Sequence, residues 1–366
     1  ASSDEKWWSR RRSKRLLKEK KAEEEQQQQL ARRNTWGGSK PGKMPNIERD
    51  REFFHQVLMK DYFAEHPTYP LKYFRRRFRM RRELFLRIQE DLLTFHGDKF
   101  SQKRDALGKL GFSPEQKLTS ALRILAYGSS ADRNDEYIRM GESTSLAYLR
   151  HFCEAVIETY GSFYLRKPTA DDLKLILSLH SSKGFPGRLG SLDVMHWEWK
   201  NCPTAWAGQY KSGKESKPTI TLEAVVNARL WFWHAFFGTA GSQNDIVVLD
   251  RSPLLVDIMH GISPEVSFEC NGNTYKHGYY LADGIYPEWP LFMKPISKPE
   301  GEKRKNYTER QESERKDVER GFAGVQNRFH FIAYPCKLWN NEAMKTVITC
   351  CIILHNMIVE DEWGEE

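Results

Sequence analysis

The hydrophobic periodicity of this chain changes at about Gly187, and this change constrains the fold more than any other feature of the sequence. Before it, apolar residues recur at the three- to four-residue intervals of amphipathic helices. After it come short β-branched and aromatic runs that alternate with helical segments. This order predicts an all-α region over residues 49–165, followed by a mixed α/β domain over residues 185–360.

The second region contains the signals of a sheet and of helices that flank it. Two runs, Thr219–Val226 and Leu230–Phe237, are joined by the turn residues Asn227-Ala228-Arg229 and predict a hairpin. Tyr279–Ala282 is a shorter predicted strand. Helices are predicted at Asp245–Met259, Thr308–Phe329 and Glu342–Ile358.

The first region has the pattern of three consecutive short helices. Ser113-Pro114 predicts the start of a helix that runs to about Tyr127 and stops at Gly128. A short segment follows, and Ser143 or Thr144 is then expected to cap a third helix. Its inward residues are expected to be Leu146, Leu149, Phe152 and Val156. Such helices are typical of a helix-turn-helix, whose last helix enters a major groove, and equally of any small helical bundle.

A further helical stretch combines an apolar stripe with a dense run of arginines. Phe74, Phe78, Phe85, Ile88 and Leu92 are spaced as one face of a helix. Most of the arginines lie off this stripe and predict a basic surface, which either contacts phosphates or is simply a solvated face. They are Arg75, Arg76, Arg77, Arg79, Arg81, Arg82 and Arg87.

Composition narrows the class of partner. The formal net charge of +8 favours a polyanion. Residues 1–48 include the basic run Arg10–Arg15, and we interpret them as a largely flexible arm that is compatible with nuclear import or phosphate contact. Val347–Ile358 is shorter than the ~18–20 residues of a membrane span, so we expect no membrane partner, and no signal peptide is expected. The 6 cysteines lack zinc-site spacing, as expected of reduced thiols.

Three acidic residues stand beside apolar segments, where an unpaired charge is costly. Asp193 and Asp283 each end an apolar strand, and Glu319 lies on a helix next to Val318 and Phe322. If the two strands are neighbours in the sheet, both aspartates lie at one edge and the helix can bring Glu319 across. Three converging carboxylates suit Mg²⁺ or Mn²⁺ better than zinc.

The spacing of these acids strengthens the pattern. There are 89 residues between Asp193 and Asp283 and 35 between Asp283 and Glu319, which resembles the DD35E arrangement of RNase H-like transposases and integrases. A chain with 49 acidic residues contains many such triplets, so the spacing alone is equally consistent with three unrelated acids.

The segments around the acids form a recognisable set. They are Gly190–Trp197, Gly241–Leu249, Tyr280–Pro287, Arg315–Phe322 and His355–Met357. In this order they resemble the catalytic domain of PIF/Harbinger transposases, most closely the plant Pong-like branch. Asn34–Arg51 and Tyr73–Arg82 resemble that branch too, so the resemblance covers residues 34–360. One departure is Phe322-Ala323-Gly324, where the family usually has Phe-Gly.

The resemblance implies a nuclear DNA transposase with an RNase H-like catalytic domain. It implies cutting of transposon ends and joining of the 3′-OH to an A/T-rich target, by phosphoryl transfer with two Mg²⁺ or Mn²⁺ ions. Asp193, Asp283 and Glu319 would be the catalytic residues and the metal ligands. The implied partners are double-stranded DNA and a Myb-like accessory DNA-binding protein. A homodimer or larger assembly on DNA is expected, since two transposon ends must be held together.

Other residues are secondary candidates. Asp245 is interpreted mainly as the cap of the helix after Gly241-Ser242, with a role near the metals as the alternative. His196 either orients DNA or a ligand water, or packs behind the ligands. Lys303, Arg304 and Lys305 are expected in a loop near the site, where they would track the DNA backbone.

Two other functions stay open at this point. A domesticated, non-catalytic chromatin or transcription factor is one, although such descendants typically lose an acid and all three motif acids are present. A metal-dependent nuclease without strand-transfer activity is the other. Because the chain begins at Ala1 instead of Met, we expect it to be part of a longer protein.

Overall fold

The structure is a computed structural model that describes residues 47–105, 108–212, 216–256, 260 and 266–363. The chain divides into two units, Ala1–Glu48 and Arg49–Glu366. The predicted basic arm over residues 1–48 lies outside the described residues except for its last two, so the interpretation of this arm stays a prediction.

The described residues that precede the sheet are helical, as their periodicity predicts. The helices are α1 (Arg51–Leu58), which continues as a π-helical turn (Met59–Phe63), α2 (Leu71–Phe78), α3 (Arg82–Phe95), α4 (Gly97–Phe100), α5 (Pro114–Tyr127), α6 (Arg133–Ile138), α7 (Glu142–Tyr164) and α8 (Ala170–Ser182). The start and the end predicted for α5 are confirmed. Ser113 accepts a hydrogen bond from the Gln116 backbone N–H, and Gly128 ends the helix at a φ of 60°.

A mixed sheet follows. Its chain order is β1 (Arg188–Glu198), β2 (Thr219–Val226), β3 (Phe232–Ala240), β4 (Phe268–Cys270), β5 (Asn273–Tyr275), β6 (Tyr279–Leu281) and β7 (Phe292–Met293). Within the described residues, five strands form one sheet in the order β3-β2-β1-β6-β7, and β4 and β5 form a separate pair. β1, β2 and β3 are antiparallel, whereas β6 and β7 run parallel to β1. The predicted hairpin and the predicted strand at Tyr279 are confirmed.

Helices flank this sheet on both faces. They are α9 (Thr204–Tyr210), α10 (Asp245–Arg251), α11 (Glu302–Arg315), α12 (Asp317–Arg328), α13 (His330–Ala333) and α14 (Asn341–Trp363). One face shares a core with α12 and α14, and the other packs Leu192 and Val225 against Leu249 of α10. A mixed sheet flanked by helices confirms the predicted α/β class and is compatible with an RNase H-like domain.

One hydrophobic core extends through the helical region and the sheet. It includes Leu58 of α1, Phe232 of β3 and Val359 of α14. Among the described helices, α14 alone is long and apolar enough to pass for a membrane span, and 72% of its most apolar window is buried. α14 is apolar on all sides because α7 and β3 both pack on it, which is the environment of a core helix.

The apolar stripe that predicts one helix face belongs to two helices. The chain turns at Arg79, whose φ of 65° is left-handed, between α2 and α3. All five stripe residues are buried in the core. The single-helix prediction was wrong because burial continues across the turn, and residue spacing does not register the change of direction.

The predicted third helix of the helix-turn-helix differs in its first turn. α7 follows Gly141, so neither Ser143 nor Thr144 caps it. Leu146 is 43% exposed, whereas the other three residues expected to face inward are buried. α7 has 23 residues and packs against α14. A DNA-binding helix-turn-helix stays a prediction.

Several boundaries near the acids also differ from their predictions. β1 continues beyond Asp193, which lies near its centre and not at its end. The helix predicted over Thr308–Phe329 is two helices, α11 and α12, that meet at Lys316. Because α11 begins at Glu302, residues 303–305 lie in a helix and not in a loop.

The helix predicted over Asp245–Met259 is shorter than its apolar pattern. α10 ends at Arg251, and Pro253 begins a separate 3₁₀ turn. Proline cannot donate the backbone hydrogen bond that would continue the helix. Residues 257–259 lie outside the described residues.

Candidate active site

Asp193 is presented by β1 on the face of the sheet that α12 covers. Its side chain is only 21% exposed. Burial raises the pKa of the Asp193 carboxyl, and the carboxylates of Asp245 and Glu319 raise it further. The Val194 backbone N–H, which donates to Asp193 Oδ1 at 2.8 Å, opposes that rise. The Arg315 guanidinium also lowers the pKa of Asp193, and the net shift is upward.

Asp283 follows β6, the parallel neighbour of β1. Leu281 is paired with Ser191 in this register, and the two aspartates each lie two residues further along their own strand direction. Asp283 is exposed, and its Oδ1 accepts a hydrogen bond from the Gly284 N–H at 2.6 Å. The parallel pairing therefore brings Asp193 and Asp283 to adjacent positions, as the sequence predicts.

Glu319 lies in the first turn of α12, with a side chain that is 45% exposed. α12 approaches the sheet closely because residue 321 is glycine. A Cβ at Gly321 would lie 3.0 Å from a Val226 methyl of β2. This close approach places the start of α12 beside β1, which carries Asp193.

Arg315 joins two of the three predicted ligands. Its Nη1 donates to Asp193 Oδ2 at 2.9 Å, and its Nη2 donates to Glu319 Oε1 at 2.8 Å. Arg315 is the last residue of α11 and is 16% exposed. Sequence reasoning included Arg315 in a motif without giving it a role, although its position four residues before Glu319 is the spacing of a helical ion pair.

A second arginine fixes the junction of α11 and α12. Arg188, at the start of β1, is fully buried and donates to Glu314 Oε2 at 2.8 Å and to Asp317 Oδ2 at 2.6 Å. It also donates to Ser191 Oγ at 2.9 Å. These bonds attach the junction of α11 and α12 to β1. They therefore fix the position of the Arg315 backbone relative to that strand. Sequence reasoning missed Arg188; an arginine at the start of an apolar strand is the signal that was available.

Tyr286 follows Asp283 and is buried against Leu192 and Leu249, with 1% exposure. Burial raises the pKa of its phenol, and the carboxylates of Asp245, Glu223, Asp193 and Asp283 each raise it further. Within the described residues its hydroxyl has no hydrogen-bond partner. Tyr286 was also missed, although it lies in the motif that follows Asp283.

The cap predicted at Asp245 is Asn244. The Asn244 side chain accepts from the Val247 backbone N–H at 3.0 Å, and Asp245 is the first helical residue of α10. The main interpretation of Asp245 was therefore wrong in its assignment of the cap. The Asp245 carboxylate raises the pKa of both Asp193 and Tyr286, and its alternative role near the metals stays a prediction.

His196 is not brought to this cluster. It lies three residues after Asp193 on the same strand, so the two side chains point to opposite faces of the sheet. His196 is exposed, and its Nδ1 lies 3.0 Å from Thr219 Oγ1 of β2. Packing of His196 behind the acids is therefore not observed, and a role in orienting DNA stays a prediction.

The basic candidates lie in three places. Arg75 pairs with Glu362 at 2.8 Å, and the Arg77 guanidinium stacks 4.0 Å from the Tyr69 ring. Arg79 lies over the Tyr127 ring. Arg76 is exposed, as are the side chains of Lys303, Arg304 and Lys305 in the first turn of α11. Ser143 and Thr144 lie in the first turn of α7. DNA contact by any of these residues stays a prediction.

The donor set fits a hard divalent cation. Asp193, Asp283, Asp245 and Glu319 offer carboxylate oxygens, which Mg²⁺ and Mn²⁺ prefer. The buried Tyr286 hydroxyl, close to Asp283 in the chain, has no hydrogen-bond partner in the described residues. No three histidine, cysteine or acidic side chains among the described residues are grouped closely enough to hold a metal ion. Arg315 provides a physical reason, since its guanidinium occupies the space between Asp193 and Glu319.

Comparisons with known proteins agree with this arrangement. The family model of the plant transposon protein matches residues 162–366, more than half of the chain, and a domain of unknown function matches residues 55–93. Protein ALP1-like of Arabidopsis thaliana is 24% identical over 254 residues. The match covers 68% of this chain and 62% of that relative, so the chain spans less than two thirds of its length. No solved structure matches the chain. The family match over more than half of the chain shows that this chain belongs to the PIF/Harbinger-type transposase family.

Proposed function

We propose that the protein is a DNA transposase whose RNase H-like domain cuts transposon ends and joins them to an A/T-rich target. The observation that carries this proposal is the placement of the motif acids on neighbouring strands and on the helix beside them, in a chain that belongs to a transposase family. Asp193 and Asp283 lie at adjacent positions of parallel strands, and Arg315 links Asp193 to Glu319. In a family defined by DNA rearrangement, such a set of carboxylates supports phosphoryl transfer.

Asp193, Asp283 and Glu319 would hold the Mg²⁺ or Mn²⁺ ions. When bound, two such ions supply an activated oxygen nucleophile and stabilise the leaving oxygen. The pairing of β1 with β2 holds Asp193 in a rigid position. Asp283 provides a second carboxylate from the turn after the neighbouring strand. Burial, and then the nearby carboxylates, raise the pKa of the Tyr286 phenol, which favours its protonated form. No protein side chain needs to become covalently attached to DNA.

The polyanionic substrate agrees with the net charge of +8. Lys303, Arg304 and Lys305 lie roughly 16 Å from Arg315 along α11 at 1.5 Å per residue, so they extend a basic surface away from the acids. We further propose that the protein acts in the nucleus on double-stranded DNA. It would bind this DNA as a homodimer or larger assembly, together with a Myb-like accessory protein. The match covers 62% of the Arabidopsis relative, so the activity of the whole relative is a proposal for this chain.

A non-catalytic descendant that acts on chromatin is the second candidate. The guanidinium between Asp193 and Glu319 favours it, because a permanent ion pair there would block metal binding. The presence of all three motif acids favours the enzyme. We therefore infer catalysis and treat the second candidate as an outcome of the test.

The test is metal-dependent cleavage of transposon-end DNA, with the accessory protein present. Asp193→Asn, Asp283→Asn and Glu319→Gln each keep the shape of the side chain but remove the charge that a hard cation needs. Each change should lower cleavage by about three orders of magnitude or more and leave DNA binding intact, and double changes should add little because the ligands act as one unit.

Glu198→Gln is the matched control. Glu198 lies on the same strand as Asp193 but pairs with Lys217 at 3.1 Å, so this change should leave cleavage near the wild-type rate. If the three ligand variants cleave as well as Glu198→Gln, the enzyme proposal fails and the non-catalytic chromatin role is favoured. Cleavage without joining of pre-cut ends would reduce the function to that of a nuclease.

A further inference from the structure

Asp193 has two neighbouring carboxylates and one arginine that contacts it directly. Asp193 is mostly buried, and the carboxylates of Asp245 and Glu319 act on it unfavourably. Like charges at such distances disfavour ionisation unless a cation intervenes. In the structure, the Arg315 guanidinium is the cation that contacts both Asp193 and Glu319.

Arg315 bridges two carboxylates and does not bind a single carboxylate in a bidentate manner. Arg315 gives one terminal nitrogen to Asp193 Oδ2 and the other to Glu319 Oε1, at 2.9 and 2.8 Å. A guanidinium bound to one carboxylate through two nitrogens would have the stronger and more specific pairing. The bridge thus uses one oxygen of each predicted ligand, and these two oxygens are donors that a divalent cation also requires.

We propose that Arg315 is an internal counter-ion that bridges Asp193 and Glu319 and competes with a divalent metal for their oxygens. This inference rests on the proposed function. A divalent cation, with twice the charge of the guanidinium, would need the same two oxygens, so its binding would require Arg315 to move away from them. Arg315 is thus a positioning residue that sets the metal concentration at which the site assembles.

The surroundings of Arg315 allow this exchange. It is the last residue of α11, next to the helix break at Lys316, and it is partly exposed. Its release requires side-chain rotation and no unfolding of a helix. The neighbouring Arg320 does not share this role, because it pairs with Asp317 on the same helix and is half exposed.

The experiment compares Mn²⁺ binding to the full chain without DNA, by calorimetry and by electron paramagnetic resonance of free Mn²⁺. Arg315→Gln removes the competing charge, and we expect it to lower the Kd for Mn²⁺ by about tenfold, within the usual range of coupling between two ligands. The thermal shift on saturation with Mn²⁺ should also exceed that of the wild type, because metal then relieves carboxylate repulsion that no guanidinium offsets.

Arg320→Gln is the matched control, since it removes the same charge one turn away and should leave the Kd unchanged. Arg315→Lys keeps the charge but not the bridge, and its Kd should lie between those of the wild type and Arg315→Gln; it also serves if the glutamine variant does not fold. An unchanged or weaker Mn²⁺ affinity in Arg315→Gln overturns the inference.

The same measurement separates this inference from the proposed function. If the wild type binds Mn²⁺ and Asp193→Asn abolishes binding, but Arg315→Gln does not tighten it, the metal site stands and the counter-ion role alone is wrong. If neither the wild type nor Arg315→Gln binds Mn²⁺, both proposals are overturned.

Discussion

Arg188 and Arg315 make the same kind of contact in two different environments. Both arginines link β1 to the helix pair α11 and α12, and each one contacts two carboxylates. Arg188 has no exposed surface, and its partner Asp317 is almost as buried. Arg315 is 16% exposed, and its partners Asp193 and Glu319 are 21% and 45% exposed.

The difference teaches what burial does to an ion pair. A desolvated pair that loses one partner leaves an uncompensated charge in the protein, so both members are held in place. A pair near the surface is replaced at low cost, because water or another cation solvates what remains. Arg188 therefore fixes the scaffold of the site, and Arg315 is available for exchange.

The largest stability effect expected from this comparison is at Arg188. Arg188→Met should lower the free energy of unfolding by about 3 kcal/mol or more, because it leaves Asp317 and Glu314 without their buried partner. Arg315→Gln should cost less than Arg188→Met in the absence of metal, because water solvates the half-exposed Glu319 and only the mostly buried Asp193 loses its partner. Urea unfolding of both variants measures the difference, and a larger loss in Arg315→Gln would reverse the roles assigned to the two arginines.

A smaller effect separates the neighbours Asn244 and Asp245. Asn244→Ala removes the hydrogen bond to Val247 at the start of α10 and should cost about 1 kcal/mol of stability. Asp245→Asn leaves that cap in place, so its stability should change little, while cleavage falls if Asp245 serves the acidic cluster. Thermal unfolding and cleavage measured on both variants decide this. A stability loss from Asp245→Asn as large as that from Asn244→Ala would restore the capping role.

The smallest expected effect is the pH dependence that Asp193 contributes. Burial raises its pKa in the folded protein above the unfolded value of about 3.9, so the folded state binds this proton more tightly. Its contribution to stability is therefore greatest at low pH and declines as the pH rises through the window between the two pKa values. Asp193→Asn should unfold at higher urea than the wild type at pH 7 without metal, and this advantage should shrink towards pH 4. A variant that is less stable than the wild type at pH 7 would contradict the direction of the shift.

Much of the fold was predictable because it depends on local pattern. The cap at Ser113, the hairpin of β2 and β3, and the strand at Tyr279 all follow from residue type and spacing, and all are confirmed. Errors arose where a pattern continued across a change of chain direction. Two helices meet at Arg79 and two at Lys316, and in both places the apolar pattern predicts one helix. The buried residues on either side of each break keep a helical spacing, which contains no information about the turn between them.

The sequence by itself determined which acids belong to the candidate site, since Asp193, Asp283 and Glu319 are set in motifs whose order identifies the family. Only the tertiary structure decided what surrounds them. Arg188 lies 129 residues before the Asp317 that it holds, and Arg315 lies 122 residues after the Asp193 that it neutralises. Such partners meet through the parallel pairing of β1 with β6 and the packing of α12 on the sheet. Electrostatic interaction depends on distance and burial in space, and neither quantity is written in the spacing of residues along the chain.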